Sequence, residues 1–371
     1  MTSRPSPLER LTAWSLRRQR LDCHAESPLQ ALHDVVAVYT THPTAPLALL
    51  ARSNGLDAAS FRALEEQRHV VRIIAMRGSA FMVPTTTATT IFAATAMPEA
   101  RLEATLRARG LDLETYRRLV PRVLECCATP LTPAQLKACL PLPEDVYMVA
   151  RVLARQGQIL RFNANSLRID TLRYVATTAW LGKPFDELDR AAALRWLARE
   201  YLRAFGPARV PDFAWWSGCT RREATTALAH SETVERDGLL LLAEDAAAYD
   251  HVATLDPAHA DVLPKWDSLT MGYAPDGRQR FIDDRFLSLA YTSVTGSPGA
   301  TSGDGLPLIL RGGRAIATWS HRFAGQRLEV TVAPFEHKRM APIGEVAFEG
   351  VAKLLGASAL NVTVVSRDPA Q

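Results

Sequence analysis

The sequence predicts a mainly α-helical molecule with an α+β C-terminal part, and three observations lead there. Three times a helical stretch runs into a short β-hairpin, at residues 70–83, 158–169 and 234–243. Beyond residue 251 that alternation gives way to turn-rich sequence with short strands. Gly, Pro and Asn stand where helices should stop and hairpins should turn. A helix-rich unit closed by a two-stranded wing is the plan of a winged helix. The predicted order is therefore three tandem winged-helix motifs (residues 8–90, 91–180 and 181–250) and a small antiparallel β domain over 251–371.

Residues 8–21 read as a helix carrying Arg10, Arg17, Arg18 and Arg20, and residues 29–38 as a second with apolar positions at helical spacing. His42-Pro43 interrupts it, because the residue before a proline avoids the α region. A third helix runs through Leu47, Leu49 and Leu50 to a stop at Asn54-Gly55, and Asp57 is placed to cap a fourth over 58–67. The first hairpin then turns at Arg77-Gly78-Ser79, where glycine permits positive φ.

The second unit starts near Glu99, with helices expected over 98–109, 111–127, 133–140 and 145–156 and two strands around an Asn-rich turn at 158–169. The third carries a long helix over 185–205, a helix–turn segment through Trp215-Trp216 to Gly218, a helix over 221–229 and a hairpin turning at Asp237-Gly238. Trp215 and Trp216 read as core residues rather than a stacking platform. Three strands follow, at 308–310, 315–322 and 326–332, with turns at Gly312-Gly313 and Ala324-Gly325 and a last helix over 343–355.

Composition bounds the function. Hydrophobic content of 47% and charged content of 22% are those of an ordinary globular chain. Net charge is only +4, a mild lean toward anionic partners, and arginine supplies most of the 43 basic residues, favouring bidentate phosphate and base contacts. The five cysteines include no C-x-x-C pair, which argues against a disulfide framework, a zinc site or an iron–sulfur cluster. No apolar run approaches a membrane span and residues 1–10 hold no signal core, so a cytoplasmic, nucleoid-associated location is expected. Phosphate-loop, zinc-protease and nucleophile-elbow motifs are missing, which sets aside ATP hydrolysis, metalloprotease and esterase chemistry.

Four groups of residues then align in order. They are Ala75-Met76-Arg77-Gly78-Ser79 with Val83-Pro84, and Phe205-Gly206-Pro207-Ala208 with Phe213 to Gly218. Next come Leu263-Pro264-Lys265-Trp266-Asp267 with Met271-Gly272-Tyr273, and Gly313 to Trp319 with Val332-Ala333-Pro334-Phe335. In this combination the chain resembles the winged-helix DNA glycosylases of the AlkZ/YcaQ superfamily. The resemblance implies a curved, monomeric molecule around duplex DNA that removes bulky alkylated purines, interstrand cross-links included. It often implies self-resistance to a DNA-alkylating natural product. Such hydrolysis would need no metal or organic cofactor and no membrane.

The resemblance also implies a catalytic place. Founding members carry Gln-x-Gln before a proline near the end of an early helix. Here that stretch is Val38-Tyr39-Thr40-Thr41-His42-Pro43, so Tyr39 and Thr41 stand where the glutamines would be. Other members carry His-x-Thr-Asp, of which this chain matches only the Thr. Thr41 can position a water, His42 can act as a base near neutral pH, and Tyr39 can bond a phosphate or sugar. Equally, these can be helix-terminus residues and a solvated pre-proline histidine.

Asp267 is the next catalytic candidate, as an activator of water or a counter-charge to the sugar cation, or else an Asx-turn residue. DNA contacts are expected from Arg17, Arg18 and Gln19 on the first helix, Arg77 at the first hairpin turn, Lys265 and Trp266, and His321 and Arg322 on the C-terminal hairpin. Trp319 reads as core. A non-catalytic winged-helix DNA-binding protein, either a regulator or a lesion-sequestering factor, remains the alternative, favoured by the replaced glutamines.

Overall fold

Four helices and a hairpin open the chain, and the sequence dictates most of their ends. The structure is a computed structural model that describes residues 5–40, 43–142, 144–163, 167–169, 172–292, 303–336 and 344–365. Helix α1 (Pro7–Arg18) starts at Ser6, whose hydroxyl accepts from the Glu9 backbone while the Glu9 carboxylate accepts from Ser6 N–H at 2.8 Å. Helix α2 (Pro28–Asp34) is shorter than expected, because Val36 takes φ +69° and turns the chain out of the helix. Val38–Tyr39 is then strand β1, not helix. Helices α3 (Thr44–Leu50) and α4 (Ala58–Glu66) follow, the latter capped by Asp57 as expected. Strands β2 (Val70–Ile74) and β3 (Ala80–Pro84) form the first hairpin, with Val71 opposite Val83 and Ile73 opposite Phe81.

Helix α5 (Thr85–Thr95) has no counterpart in the sequence expectation and crosses the boundary placed at residue 90. Six threonines disfavour a helix by propensity, but Ala88, Ile91 and Ala94 present a narrow buried stripe, and tertiary packing overrides the local preference. Helices α6 (Leu102–Arg107), α7 (Leu113–Cys126), α8 (Pro133–Cys139) and α9 (Val146–Arg155) lead to β4 (Ile159–Asn163). The return strand β5 is Leu172–Ala176, later than the 167–169 expected. A disulfide joins Cys126 to Cys139 across the ends of α7 and α8, a single bond that the expectation of no disulfide framework did not foresee. The pair has no sequence signature, because the helical hairpin between the two residues is what brings their Cα atoms to 6.3 Å.

Helix α10 (Thr177–Leu181) precedes the long α11 (Arg190–Phe205), which starts at Asp189 rather than at 185. Helices α12 (Val210–Ser217) and α13 (Arg221–Leu228), the second with a Thr220/Glu223 capping box, lead to the third hairpin, β6 (Thr233–Arg236) and β7 (Leu239–Leu242). Short α14 (Ala246–Asp250) closes the third unit. The C-terminal part holds β8 (Ala260–Leu263), α15 (Leu287–Ala290), β9 (Leu308–Arg311), β10 (Arg314–Ala324), β11 (Arg327–Pro334), α16 (Glu349–Leu354) and β12 (Ala359–Val364).

Among the described residues the first two hairpins share one five-stranded sheet in the order β1-β3-β2-β4-β5, joined where Arg72 faces Arg161. The third hairpin stays a separate two-stranded sheet. The C-terminal sheet runs β12-β11-β10-β9-β8 and is not wholly antiparallel, because β12 lies parallel to β11 along its length from Arg327 to Val332.

The cores cross the expected unit limits. One core packs Tyr39, Ile73 and Phe81 of the first sheet with Ile91 of α5, Leu197 and Phe205 of α11, Trp216 of α12, and Leu263 and Leu308 of the C-terminal part. A second sets Leu32, Leu49 and Phe61 of α2–α4 against Trp319, Val330 and Phe348. Only the second unit keeps a core largely its own, around Leu119, Leu136, Val149 and Leu153. The C-terminal sheet is therefore built onto the first helices. That union carries Lys265 and Trp266 to the first hairpin. Among the described residues no helix is long and apolar enough to cross a membrane.

Candidate functional site

A concavity of about 330 Å³ lies where the first hairpin meets the C-terminal part. Tyr39, Arg77 and Ser79 line one side, and Trp266, Met271 and Asp304 the other. Tyr39 is placed by β1, whose pairing sets it opposite Phe81 with ring centroids 4.2 Å apart. Its hydroxyl accepts from Arg77 Nη2. Burial pushes the Tyr39 phenol up, more than the nearby Arg77 charge pulls it down.

Arg77 sits at the hairpin turn with φ +54°, and its guanidinium lies 3.8 Å from the Trp215 ring centroid. Trp216 is core as expected, whereas Trp215 is only half-buried and serves as the platform for Arg77. Gly218, at the end of α12, lets the helix approach this turn: a Cβ there would stand 3.1 Å from the Arg77 backbone nitrogen. Trp266 also has positive φ, +56°. Left-handed backbone costs a residue with a Cβ roughly 1–2 kcal/mol, so two facing side chains are held in strained positions by the packing around them.

The opposite wall is organised by Asp304. Its Oδ1 accepts from Lys265 Nζ at 2.9 Å and Trp266 Nε1 at 3.0 Å, and its Oδ2 accepts from Thr292 Oγ1 at 2.6 Å. Partial burial alone would raise this carboxyl. The hydrogen bonds from Thr292, Lys265 and Trp266 and the Lys265 charge outweigh it and hold Asp304 below the usual carboxylate range. Lys265 also lies 4.5 Å from the Trp266 ring centroid. The sequence hides Asp304 inside Gly303-Asp304-Gly305, which reads as loop punctuation, and nothing in that pattern singles out its carboxylate.

Thr41 and His42 lie outside the described residues. Their neighbours are anchored at this site: Thr40 N–H donates to Ala80 O at 3.1 Å, and Thr44 Oγ1 donates to Lys265 O at 2.9 Å. Asp267 is adjacent in sequence but sealed. Its two oxygens accept from Arg52 at 2.6 and 2.7 Å and from Leu269 N–H at 2.9 Å, and both side chains are 0% exposed. No face of this carboxylate is presented to the concavity.

The first-helix residues also face inward. Gln19 is fully buried and donates to Ala204 O at 2.9 Å, which takes it away from any DNA surface. Arg18 donates to Arg203 O at 2.5 Å and pairs with Asp245, so the DNA contact expected of it is already taken by the protein. Arg17 pairs with Asp22 but keeps 42% of its side chain exposed. The DNA contacts expected of Arg18 and Gln19 are thus corrected: packing of α1 against α11 turns both inward.

Trp319 is buried on β10 and donates Nε1–H to Leu263 O at 2.8 Å, while His321 stacks on it with centroids 5.5 Å apart. Arg322 is exposed and pairs with Glu329 at 2.7 Å. Burial pushes the His321 imidazole below its ordinary range. His321 is therefore expected to be neutral at pH 7, with an NMR titration midpoint below that of a free histidine. A midpoint above it would mean that the ring is solvated or paired with a carboxylate. Among the described residues no group of three or more His, Cys, Asp or Glu side chains is placed to hold a metal ion.

This fold has a known counterpart. The AlkZ-like DNA glycosylase model matches residues 32–357, and the chain belongs to that family. It is a DNA glycosylase, a DNA-binding repair hydrolase of N-glycosidic bonds. Among solved structures, the DNA glycosylase AlkZ of Streptomyces sahachiroi shares the fold, with a TM-score of 0.70 over 96% of this chain and 99% of that one, at 19% identity. No curated protein matches it in sequence.

Proposed function

We propose that this chain hydrolyses the N-glycosidic bond of bulky N7-alkylated purines in duplex DNA, interstrand cross-links among them. It acts as a monofunctional, cofactor-free monomer in the cytoplasm, in self-resistance to a DNA-alkylating natural product. Its three helix–hairpin units act as winged helices on the duplex. The observation that supports this reading is the concavity itself, which brings together the Trp266 ring, the Arg77 guanidinium and the Asp304 carboxylate, with Thr40 and Thr44 anchored at its walls.

The chemistry asked of such a site is modest. An N7-alkylguanine is already cationic and leaves as a neutral base, so no strong general acid is required. The protein has to stabilise cationic character on the sugar and hold one water at C1′. Asp304 supplies the negative charge, Thr41 and His42 hold and deprotonate the water, and Tyr39 fixes Arg77. Arg77, Lys265 and Trp266 face the DNA backbone and the lesion, with Arg17, His321 and Arg322 as outer contacts. Asp267 acts as a structural anion.

Incubation with duplex DNA bearing a defined N7-alkylguanine should yield free base and abasic sites. A Thr41→Ala/His42→Ala pair is expected to slow release by about 10²-fold while leaving binding intact. One observation favours a second reading. Tyr39, in place of the first glutamine, is buried and tied to Arg77, which suits a non-catalytic DNA-binding protein. DNA binding without base release across several bulky adducts would decide for it.

A further inference from the structure

Two further concavities continue from the site across the second unit. One, of about 310 Å³, shares Ser79 with the site and is lined by Arg151, Arg155 and Arg161. The other, of about 560 Å³, shares Arg151 and Arg155 and adds Arg101 and Arg109. The three form one track that begins at the first hairpin turn and runs along α9 toward α6. Arg155 ties the two parts together, because a Cβ on Gly78 would stand 3.0 Å from its Nη1.

Among the described residues none of Arg101, Arg109, Arg151, Arg155 and Arg161 forms an ion pair. Two exposed arginines elsewhere in the same unit are paired, Arg107 with Glu103 at 2.6 Å and Arg118 with Glu144 at 2.5 Å. Arg151 and Arg155 are four residues apart on one face of α9, an arrangement of like charges that costs helix stability. The opposite face of α9 is fixed in the core by Val149, Ala150 and Leu153, so the two guanidiniums cannot be turned apart by rotating the helix. Burial and the charges of Arg151 and Arg109 together push Arg155 below its ordinary range, the signature of cations crowded without an anion.

We propose that this arginine track is a phosphate-binding channel that holds the DNA backbone beside the lesion, with Arg151 and Arg155 as its central contacts. A single small anion would fill one concavity. A row of three joined to the reaction site calls for a polyanion threaded past it. The inference rests on DNA as the substrate of this family.

The test measures binding of an undamaged duplex across a series of salt concentrations. Each lost phosphate contact reduces the slope of log Kd against log salt by roughly 0.9. Arg151→Ala/Arg155→Ala should therefore flatten the slope by about 2 and raise Kd about tenfold near physiological salt. Arg151→Lys/Arg155→Lys should keep most of the slope, because a phosphate accepts a point charge, and Arg107→Ala should change neither quantity. An alanine variant with wild-type slope and Kd overturns the proposal. So does a lysine variant that loses as much as alanine, since the arginines would then be structural. Binding by the wild-type chain without base release would defeat the glycosylase reading and leave this one standing; base release with an unchanged slope would do the reverse.

Discussion

Arg52→Ala is expected to destabilise the protein by about 3–5 kcal/mol, read as a fall in the urea midpoint at unchanged m. Arg52 and Asp267 are both fully buried and joined by two short hydrogen bonds. Removing the guanidinium strands a carboxylate that keeps only the Leu269 N–H, at 2.9 Å. The same loss unties α3, because Arg52 Nη1 also donates to Ala48 O at 2.9 Å. Arg52→Met combined with Asp267→Leu should recover most of the stability, since an apolar pair replaces a buried ion pair at little cost. A loss below about 1 kcal/mol for Arg52→Ala would mean that water reaches Asp267, which would return it to the list of catalytic groups.

Asp304→Asn is expected to slow base release about 10²-fold while leaving the fold in place. Asparagine keeps an acceptor for Trp266 Nε1, removes the charge, and replaces the second oxygen with an NH2 that the Thr292 hydroxyl can turn to accept. Because the Asp304 carboxyl is held below its ordinary range, the anion forms at lower pH than in the unfolded chain. Its charge, and the stability it adds, are fully present above the unfolded value and fade only as pH falls through the depressed folded one. The single-turnover rate should accordingly show no loss from this group between about pH 8 and pH 5. A rate unchanged by Asp304→Asn, with base release intact, would place the counter-charge elsewhere.

What the sequence made legible was local. Ser6 with Glu9, Asp57, and Thr220 with Glu223 announce helix starts by chemistry that acts within one turn. Gly78 and Gly238 mark two hairpin turns in the same way. What it concealed depended on partners far along the chain. The apolar run through residue 38 reads as helix until the left-handed turn at Val36 is known, and α5 is a helix only because another element covers its alanines. Strand β12 follows Gly356 with no turn that names its neighbour, and its parallel partner is set by the fold.

The site shows the same division. Tyr39, Arg77, Lys265 and Trp266 were marked by type and order, and the structure brings these four to one concavity. Asp267 drew attention by its neighbours, yet its partner Arg52 lies 215 residues away and no local pattern reveals it. Asp304, inconspicuous between glycines, is the half-buried carboxylate that lines the concavity. Arg18 and Gln19 sat on a helix face whose direction only the packing of α1 could settle.

The two walls of the concavity are far apart in the order of synthesis. Tyr39 and Arg77 leave the ribosome first, and Trp266 and Asp304 come more than 180 residues later. A nascent chain that has already formed its first hairpin therefore carries half a site, with Arg77 and the Tyr39 hydroxyl but neither the Trp215 platform nor a facing carboxylate. Competence waits until Leu308 enters the shared core and Asp304 closes over Trp266.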